Sequence, residues 1–143
     1  MLGQSYGYFD TMTMTSNGRP FLVFSVMACS DVTLVMSEIL GLTNVRSYKV
    51  LIGHGPGQDQ LEIHKDNVRQ IHRHLSCVLH CTQFREFWIS WEHGLVVFGF
   101  GSEVGANAYL EWQDPRPLPI ISSVAVSSYS DTTEWQLRAQ EGT

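Results

Sequence analysis

The sequence lacks the features by which a chain enters a membrane or binds nucleic acid. No apolar run approaches the roughly 20 residues that a membrane-spanning helix requires. Residues 1–10 contain neither the basic region nor the apolar region of a signal peptide. The formal net charge is −5 and basic residues form no run, whereas nucleic-acid binders usually carry a basic stripe. We therefore expect neither membrane insertion nor a nucleic-acid partner.

Cysteine is also scarce, because only Cys29, Cys77 and Cys81 are present and they are too few for a disulfide framework. In an extended strand the Cα atoms of Cys77 and Cys81 would lie roughly 13 Å apart. That separation exceeds the distance of about 7 Å that a disulfide can bridge. A Cys77–Cys81 disulfide therefore requires a turn or one helical turn between the two residues. Buried free thiols are the alternative, and the redox compartment stays open.

Sustained helical periodicity is absent as well, whereas short apolar runs recur between turn signals along the whole chain. This pattern predicts an all-β fold, an antiparallel β-sandwich of jelly-roll type with little helix. The 143 residues, of which 43% are hydrophobic, are enough for one self-sufficient core. We expect a single domain over residues 1–143, with an ordered core at about 6–138.

The strongest local signal lies in residues 84–101, whose sequence is FREFWISWEHGLVVFGFG. Two runs rich in aromatic and β-branched residues flank the short turn Glu92-His93-Gly94, a pattern typical of a β-hairpin. In both runs the residues that would point to either face of the strand are apolar. The hairpin is therefore expected at the centre of a sheet, with material packed on each face.

Apolar runs bounded by turn residues predict the other strands. Residues 21–28 and 32–36, joined by Ser30-Asp31, predict a second hairpin. Residues 65–74 are polar and fit either a short surface helix or a long excursion. Further strands are expected at residues 6–11, 48–53, 61–63, 75–80, 109–112, 120–128 and 133–138.

One glycine motif is typical of a nucleotide-binding loop, because an apolar strand ends in Gly99 and Gly101 and Gly105 follows. Such loops, including those of S-adenosylmethionine-dependent methyltransferases, require a helix directly after the glycines. The following sequence, SEVGANAYLEWQDP, contains no amphipathic helix before Pro115. Glycines at a packed strand end or bulge are the favoured interpretation, and we predict no cofactor.

Histidines raise the question of a metal site. His72 and His74 would lie on one side of a strand, and His64 or Cys81 could complete a zinc site. Neither Cys-x-x-Cys nor His-Glu-x-x-His spacing occurs, so solvated histidines are favoured and no metal is predicted. No Gly-x-Ser-x-Gly motif marks a nucleophile either, and we predict no catalytic residue.

Two residues near the C-terminal prolines are candidates for ligand binding. Most of the four tryptophans are expected in the core. Trp112, beside loop residues, is the best candidate for an exposed stacking platform. Asp114 either caps the proline-rich turn through an Asx-type bond or contacts a ligand, and the capping role is favoured.

These motifs resemble those of the farnesoic acid O-methyltransferase (FAMeT) domain family, in the same order over most of the chain. The motifs that carry the resemblance are the strands at 21–28 and 31–36, YKVLIG at 48–53, FREFWISW at 84–91, the glycine-containing strand at 97–101, LEWQDP at 110–115 and Trp135. The family name implies a methyltransferase that acts on a sesquiterpenoid acid. The resemblance also implies a module of larger, often secreted chains, including α2-macroglobulin-like proteins. This chain departs from the family pattern in the loop HGPGQ, which begins at His54. We take His54 as a third candidate ligand-binding residue.

The residues supply no recognisable nucleoside cradle and no base beside a carboxylate substrate. We therefore expect a non-catalytic interaction module of a larger, extracellular protein that binds protein or glycan surfaces. Trp112, Asp114 and His54 are the candidate contacts. The alternative is an S-adenosylmethionine-dependent O-methyltransferase, and a third possibility is a spacer domain without a ligand.

Overall fold

The computed structural model describes residues 12–15, 19–38, 46–54, 59–119, 121, 123–128 and 133–138. Within these residues the chain forms strands and one short 3₁₀ turn at Glu92–Gly94. The strands are β1 (Met12–Thr15), β2 (Phe21–Met27), β3 (Val32–Ser37), β4 (Ser47–His54), β5 (Gln60–Lys65), β6 (Val68–His74), β7 (Arg85–Ser90), β8 (Leu95–Phe100), β9 (Ala108–Gln113), β10 (Ser123–Ser128) and β11 (Glu134–Arg138).

These strands form two sheets that pack face to face. One sheet has six strands in the order β1-β10-β3-β4-β5-β6, and the other has five in the order β11-β2-β7-β8-β9. All neighbouring strands are antiparallel. Because residues from both sheets meet in one apolar core, the predicted all-β antiparallel sandwich is confirmed.

The core is filled by every second residue of the strands, as the period of a pleated strand requires. Phe24 and Phe98 enter it from the five-stranded sheet, and Leu34, Val50 and Ile63 from the six-stranded sheet. All five side chains are fully buried. Burial of one such side chain is worth about 1.5–3 kcal/mol, so this alternation is the main source of stability.

The hairpin predicted at residues 84–101 is confirmed as β7 and β8. β7 is the middle strand of its sheet, between β2 and β8. The connecting turn places His93 and Gly94 at positive φ, 55° and 78°. Glycine adopts this backbone conformation without strain, which explains Gly94 at the end of the turn.

The outer face of this hairpin is covered too. Val23, Trp88 and Val97 form a second buried cluster there. The indole Nε1 of Trp88 donates a hydrogen bond to the carbonyl of Ala106 at 2.8 Å, which ties the 101–107 loop to the sheet. Gly99 lies so close to the Trp88 ring that a Cβ atom would overlap it. The expected packing on both faces is therefore present.

The second predicted hairpin is wrong. Residues 21–28 and 32–36 do contain strands, but β2 pairs with β11 and β7 whereas β3 pairs with β10 and β4. The short connection therefore crosses from one sheet to the other. None of residues 28–31 has the positive φ that tight hairpin turns use. Because both strands are largely buried, their apolar sequences look alike and do not show that they belong to different sheets.

Residues 65–74 are neither a helix nor an irregular excursion, so both alternatives are wrong. β6 pairs with β5 across a turn in which Asp66 and Asn67 have φ values of 51° and 69°. Two consecutive positive φ values are typical of a type I′ hairpin turn, which Asp and Asn tolerate. The polar composition gave no indication of a strand, because β6 is an exposed edge strand and contains few apolar residues.

The remaining strand predictions have mixed outcomes. Strands near 48–53, 61–63, 109–112 and 133–138 are confirmed as β4, β5, β9 and β11. Residues 75–80 are irregular rather than a strand, and Cys77 there has a positive φ of 59°. The strand predicted at 120–128 is shorter, since β10 begins at Ser123. The strand predicted at 6–11 lies outside the described residues.

Cys81 is bonded to Cys29, so both alternatives for this pair, a Cys77–Cys81 disulfide and buried free thiols, are wrong. Cys29 lies in the crossing between β2 and β3, and Cys81 in the irregular segment before β7, with Cα atoms 4.3 Å apart. The N–H of Ala28 donates to the carbonyl of His80 at 3.1 Å and holds the two segments side by side. Cys77 is exposed and free. Local spacing could not reveal a partner 52 residues away.

Candidate functional site

Asp114, the carboxylate singled out from the sequence, directly follows β9 and is 2% exposed. Its Oδ2 accepts a hydrogen bond from the Tyr48 hydroxyl at 2.8 Å. Its Oδ1 accepts one from Lys65 Nζ at 2.9 Å and one from the N–H of Arg116 at 2.8 Å. The bond from Arg116 is the Asx-type bond that the sequence predicts for this turn, and it is confirmed.

Lys65 and Tyr48 extend these contacts into the proline-rich turn. Lys65 Nζ also lies 2.8 Å from Asp114 Oδ2 and donates to the Arg116 carbonyl at 2.8 Å. The Tyr48 hydroxyl accepts from the N–H of Leu118 at 3.1 Å. We call Tyr48, Lys65 and Asp114 the brace, because they fasten the turn after β9 to β4 and β5 of the opposite sheet.

One contact of the brace could have been predicted from the sequence, because β5 has a lysine at an inward position. Every second residue of β5 points to the same face, namely Leu61, Ile63 and Lys65. The first two of these side chains are fully buried. A lysine at the third inward position needs an acceptor. Asp114 is that acceptor, although it lies 49 residues further along the chain.

The ionisation states of the brace follow from its burial and its hydrogen bonds. Burial alone would raise the pKa of Asp114, but hydrogen bonds from Lys65, Arg116 and Tyr48, with the charge of Lys65, hold that pKa below its usual range. Burial raises the pKa of Tyr48 well above its usual range, and the Asp114 carboxylate adds to this effect. At neutral pH the carboxylate is therefore charged and the phenol is neutral. The brace is suited to structural support rather than to proton transfer.

Of the other two predicted ligand residues, Trp112 lies beside the brace, whereas His54 lies at the opposite end of β4 from Tyr48. Trp112 is half-buried, and the edge of its ring meets the Tyr48 ring with centroids 6.4 Å apart. His54 ends β4, and its side chain lies outside the described residues. The structure thus brings Trp112 and Asp114 together beside Tyr48, and a ligand role for Trp112, Asp114 and His54 stays a prediction.

Two of the histidines considered for a metal site, His64 and His74, pair with neighbouring carboxylates. His64 Nε2 lies 2.7 Å from Glu62 Oε1, and His74 Nε2 lies 2.9 Å from Asp59 Oδ2. Cys81 is part of the disulfide and cannot act as a thiolate ligand. Over the part of the chain that the structure describes, no group of three His, Cys, Asp or Glu side chains could hold a metal ion.

The glycines of the nucleotide-loop motif have packing and turn roles. Gly99 faces the Trp88 ring, and Gly101 and Gly105 have positive φ values of 89° and 97°. The segment between β8 and β9 consists of turns and bends. In residues 101–119 the described backbone contains no helix that could direct its N-terminus at a phosphate.

A basic edge strand is a feature that the sequence prediction missed. β6 ends the six-stranded sheet, and among the described strands none pairs with its outer side. Its side chains are exposed except that of Ile71, and Val68 is 61% exposed. The Arg73 guanidinium lies 4.1 Å from the centroid of the Tyr109 ring and donates to the Tyr109 carbonyl at 2.6 Å. We call Val68–His74 the β6 edge.

A cavity of about 290 Å³ lies at the end of the sandwich, next to the irregular segment that follows β6. We call it the end pocket. Its lining residues are Leu75, Ser76, Cys77, Val78, Arg85, Glu86, Phe87 and Phe100. The sequence prediction missed this pocket because residues 75–80 were expected to be a strand.

The described residues include no helix of the length and apolar character needed to cross a membrane.

Comparisons with known proteins agree with the resemblance in the motifs. A BTB/POZ domain-containing protein of Arabidopsis thaliana is 30% identical over 128 residues. The match covers 84% of this chain but only 16% of the length of that curated relative, so the matching region is one module of a larger protein there. A family model described as farnesoic acid O-methyl transferase matches residues 3–141, nearly the whole chain. The chain therefore belongs to the farnesoic acid O-methyl transferase domain family.

Proposed function

We propose that the domain is a non-catalytic interaction module that binds an extended acidic segment of a protein partner along the β6 edge. One observation carries the proposal: β6 is an exposed and basic strand at the end of a sheet. The outer side of an edge strand presents backbone N–H and C=O groups in a row, and a partner strand can bond to them. The match to one part of a larger relative supports a role as a module.

The charge of the β6 edge indicates the kind of partner. The strand sequence VRQIHRH contains Arg69, Arg73 and two histidines but no carboxylate, although the chain as a whole has a net charge of −5. A second copy would place like charges opposite each other, which destabilises strand pairing. Acidic side chains of a partner would instead lie near Arg69, whose exposed guanidinium is 3.7 Å from the Glu62 carboxylate of β5. The exposed Val68 offers an apolar contact at the start of the strand.

The free length of this edge is limited at one end. Arg73 and Tyr109 connect β6 to β9, because Arg73 donates to the Tyr109 carbonyl and the Tyr109 hydroxyl donates to the His74 carbonyl at 3.2 Å. A partner strand would therefore pair near Val68 to His72. This closure also joins the edges of the two sheets on that side of the sandwich.

The proposal is tested by calorimetric titration with a short peptide that alternates valine and glutamate. The matched probe replaces each glutamate by lysine. We expect binding of the glutamate peptide only, weakening as salt is added because the attraction is between exposed charges. Arg69→Glu should abolish binding, and Gln136→Glu, at an exposed position of β11 in the other sheet, should not. Equal binding of both peptides would contradict the proposal. A glycan array that shows saturable sugar binding, with neither peptide bound, would replace protein by glycan as the partner.

We also propose that the parent protein exposes this domain in an oxidising, extracellular compartment. The Cys29–Cys81 disulfide supports the placement, because such bonds persist outside the reducing cytosol. Alkylation of the protein as isolated from its native source should modify Cys77 alone. Modification of all three cysteines without reductant would argue against this compartment.

The competing function is S-adenosylmethionine-dependent methylation, which the family description favours. The packing of Gly99 against Trp88 and the turns at Gly101 and Gly105 favour the interaction module instead. Calorimetry with S-adenosylmethionine separates the two. We expect no binding heat, and micromolar binding at Gly99 to Gly101 would revive the enzyme hypothesis.

A further inference from the structure

The outer face of the six-stranded sheet carries a buried lysine without a counter-ion. Tyr48, Val50 and Ile52 of β4 enter the core, so alternation places Ser47 and Lys49 on the opposite, outer face of the strand. Lys49 is only 9% exposed, and the described residues provide no acceptor for its ammonium. Burial of an unpaired cation is unfavourable. Groups that lower stability in this way are concentrated at functional sites.

The Ser47 hydroxyl is a second unused donor on the same face. Ser47 is fully buried, and its Oγ has no hydrogen-bond partner among the described residues. Because Ser47 and Lys49 are two residues apart on one strand, their Cα atoms lie roughly 6.6 Å apart at ~3.3 Å per residue. One small acceptor can therefore reach both side chains. We propose that Ser47 and Lys49 bind a small tetrahedral oxyanion, a phosphate or a sulfate.

The nearest carboxylate on this face is already paired with other cations. His64 of β5 lies opposite Lys49, and Glu62 is the preceding residue of β5 on the outer face. The Glu62 carboxylate is 2.7 Å from His64 Nε2 and 3.7 Å from the Arg69 guanidinium. Burial lowers the pKa of Lys49, the direction expected of a desolvated cation. A bound oxyanion would supply the negative charge that Lys49 lacks.

The chemistry and the enclosure of the site favour a small oxyanion. An ammonium and a hydroxyl both donate hydrogen bonds, and lysine is a common phosphate ligand. On β3, Ser37 lies opposite Ser47, and its hydroxyl is 3.0 Å from that of Ser123, so further hydroxyls border the site. Because Lys49 is nearly enclosed, a small anion enters more readily than an acidic side chain of a partner. The site does not include the β6 edge, so this inference does not depend on the proposed function.

The test is calorimetric titration of the intact domain with sodium phosphate and with sodium sulfate, at an ionic strength held constant with sodium chloride. We expect saturable binding. The thermal midpoint should rise by about 5 °C or more when the anion exceeds its Kd a hundredfold. Both anions also stabilise proteins through exclusion from the surface, but that effect does not saturate. Phenyl phosphate separates two sources: binding as tight as that of phosphate indicates a phosphate carried on a larger molecule, and weaker binding indicates the free anion.

Two variants and a control locate the site. Lys49→Met should weaken binding of both anions about tenfold or more, because it removes a charged donor. Ser47→Ala should weaken binding less, because it removes a neutral donor. Arg19→Met, at a cation that precedes β2 of the other sheet, should leave binding unchanged.

A footprint on the native protein makes the test independent of the folding of any variant. Saturating phosphate should slow the acylation of Lys49 by an amine-selective reagent and leave the rate at Lys65, the other lysine of the chain, unchanged. Mass spectrometry of the digested protein reports both rates. Absence of saturable binding, equal binding by Lys49→Met, or acylation of Lys49 that phosphate does not slow would overturn the proposal.

Discussion

Removal of the Asp114 carboxylate should destabilise the domain strongly, because three protein donors depend on it. In Asp114→Ala the Tyr48 hydroxyl, Lys65 Nζ and the N–H of Arg116 lose an acceptor at 2.8 to 2.9 Å. Hydrogen bonds to a charged group contribute about 1.5–3 kcal/mol each. Lys65 remains partly accessible to solvent and regains water, which reduces the total. We expect the free energy of unfolding to fall by about 3 kcal/mol.

Tyr48→Phe isolates one part of this network. It removes the donor to Asp114 and the acceptor of the Leu118 N–H, and leaves the ring in the core. We expect a loss of about 1.5 kcal/mol. Because the two residues share one hydrogen bond, the double variant should lose less than the sum of the single losses, by about 1 kcal/mol.

The assay is urea unfolding followed by tryptophan fluorescence. Glu111→Ala is the matched control, since this carboxylate is exposed on β9, and its effect should stay within about 0.5 kcal/mol. The reasoning is refuted if Asp114→Ala is as stable as that control. It is also refuted if the losses from Tyr48→Phe and Asp114→Ala are fully additive.

The brace also predicts an acid dependence whose sign follows from the lowered pKa of Asp114. The folded state binds a proton at this carboxyl less readily than the unfolded state. The contribution is therefore complete above the unfolded pKa of about 3.9 and is lost as pH falls through the lower folded value. The stability gap between the native protein and Asp114→Ala should be constant near neutrality and narrow in acid. A gap that is independent of pH down to acid unfolding would contradict this.

Three further outcomes follow from the packing. Gly99→Ala should lower the free energy of unfolding by about 2 kcal/mol or more and change tryptophan emission, because its Cβ would overlap the Trp88 ring; an unchanged urea midpoint would contradict this. Reduction of the Cys29–Cys81 disulfide should cost about 4 kcal/mol from the entropy of a loop that spans 52 residues, measured by urea unfolding with and without reductant. Lys49→Met should stabilise by about 1 kcal/mol, because burial lowers the pKa of this lysine and the described residues show no acceptor for it; a lower thermal midpoint would refute this.

Local patterns in the sequence predicted the strands of the core but not the way in which all of them pair. The hairpin at 84–101 was predictable because its turn and its apolar faces are local signals. The assignment of β2 and β3 to different sheets was not, since pairing depends on contacts far apart in sequence. β6 escaped prediction because an edge strand exposes both faces and loses its apolar pattern.

The contacts of the site residues were likewise predictable only where the partners are close in sequence. An Asx-type bond at Asp114 was predictable from the proline-rich turn, whereas its contact with Lys65 spans 49 residues and was not. The Cys29–Cys81 bond was missed for the same reason. An inward arginine at the start of β7 was in principle visible, because Arg85 alternates with Phe87 and Ile89.

Amide hydrogen exchange along β6, with and without the peptide that alternates valine and glutamate, tests the proposed interaction most directly. We expect alternate amides between Val68 and His72, those on the outer side of the strand, to become protected when the peptide binds. Amides in β5 that already bond within the sheet should not change. Protection confined to another surface, or no protection at saturating peptide, would contradict the account.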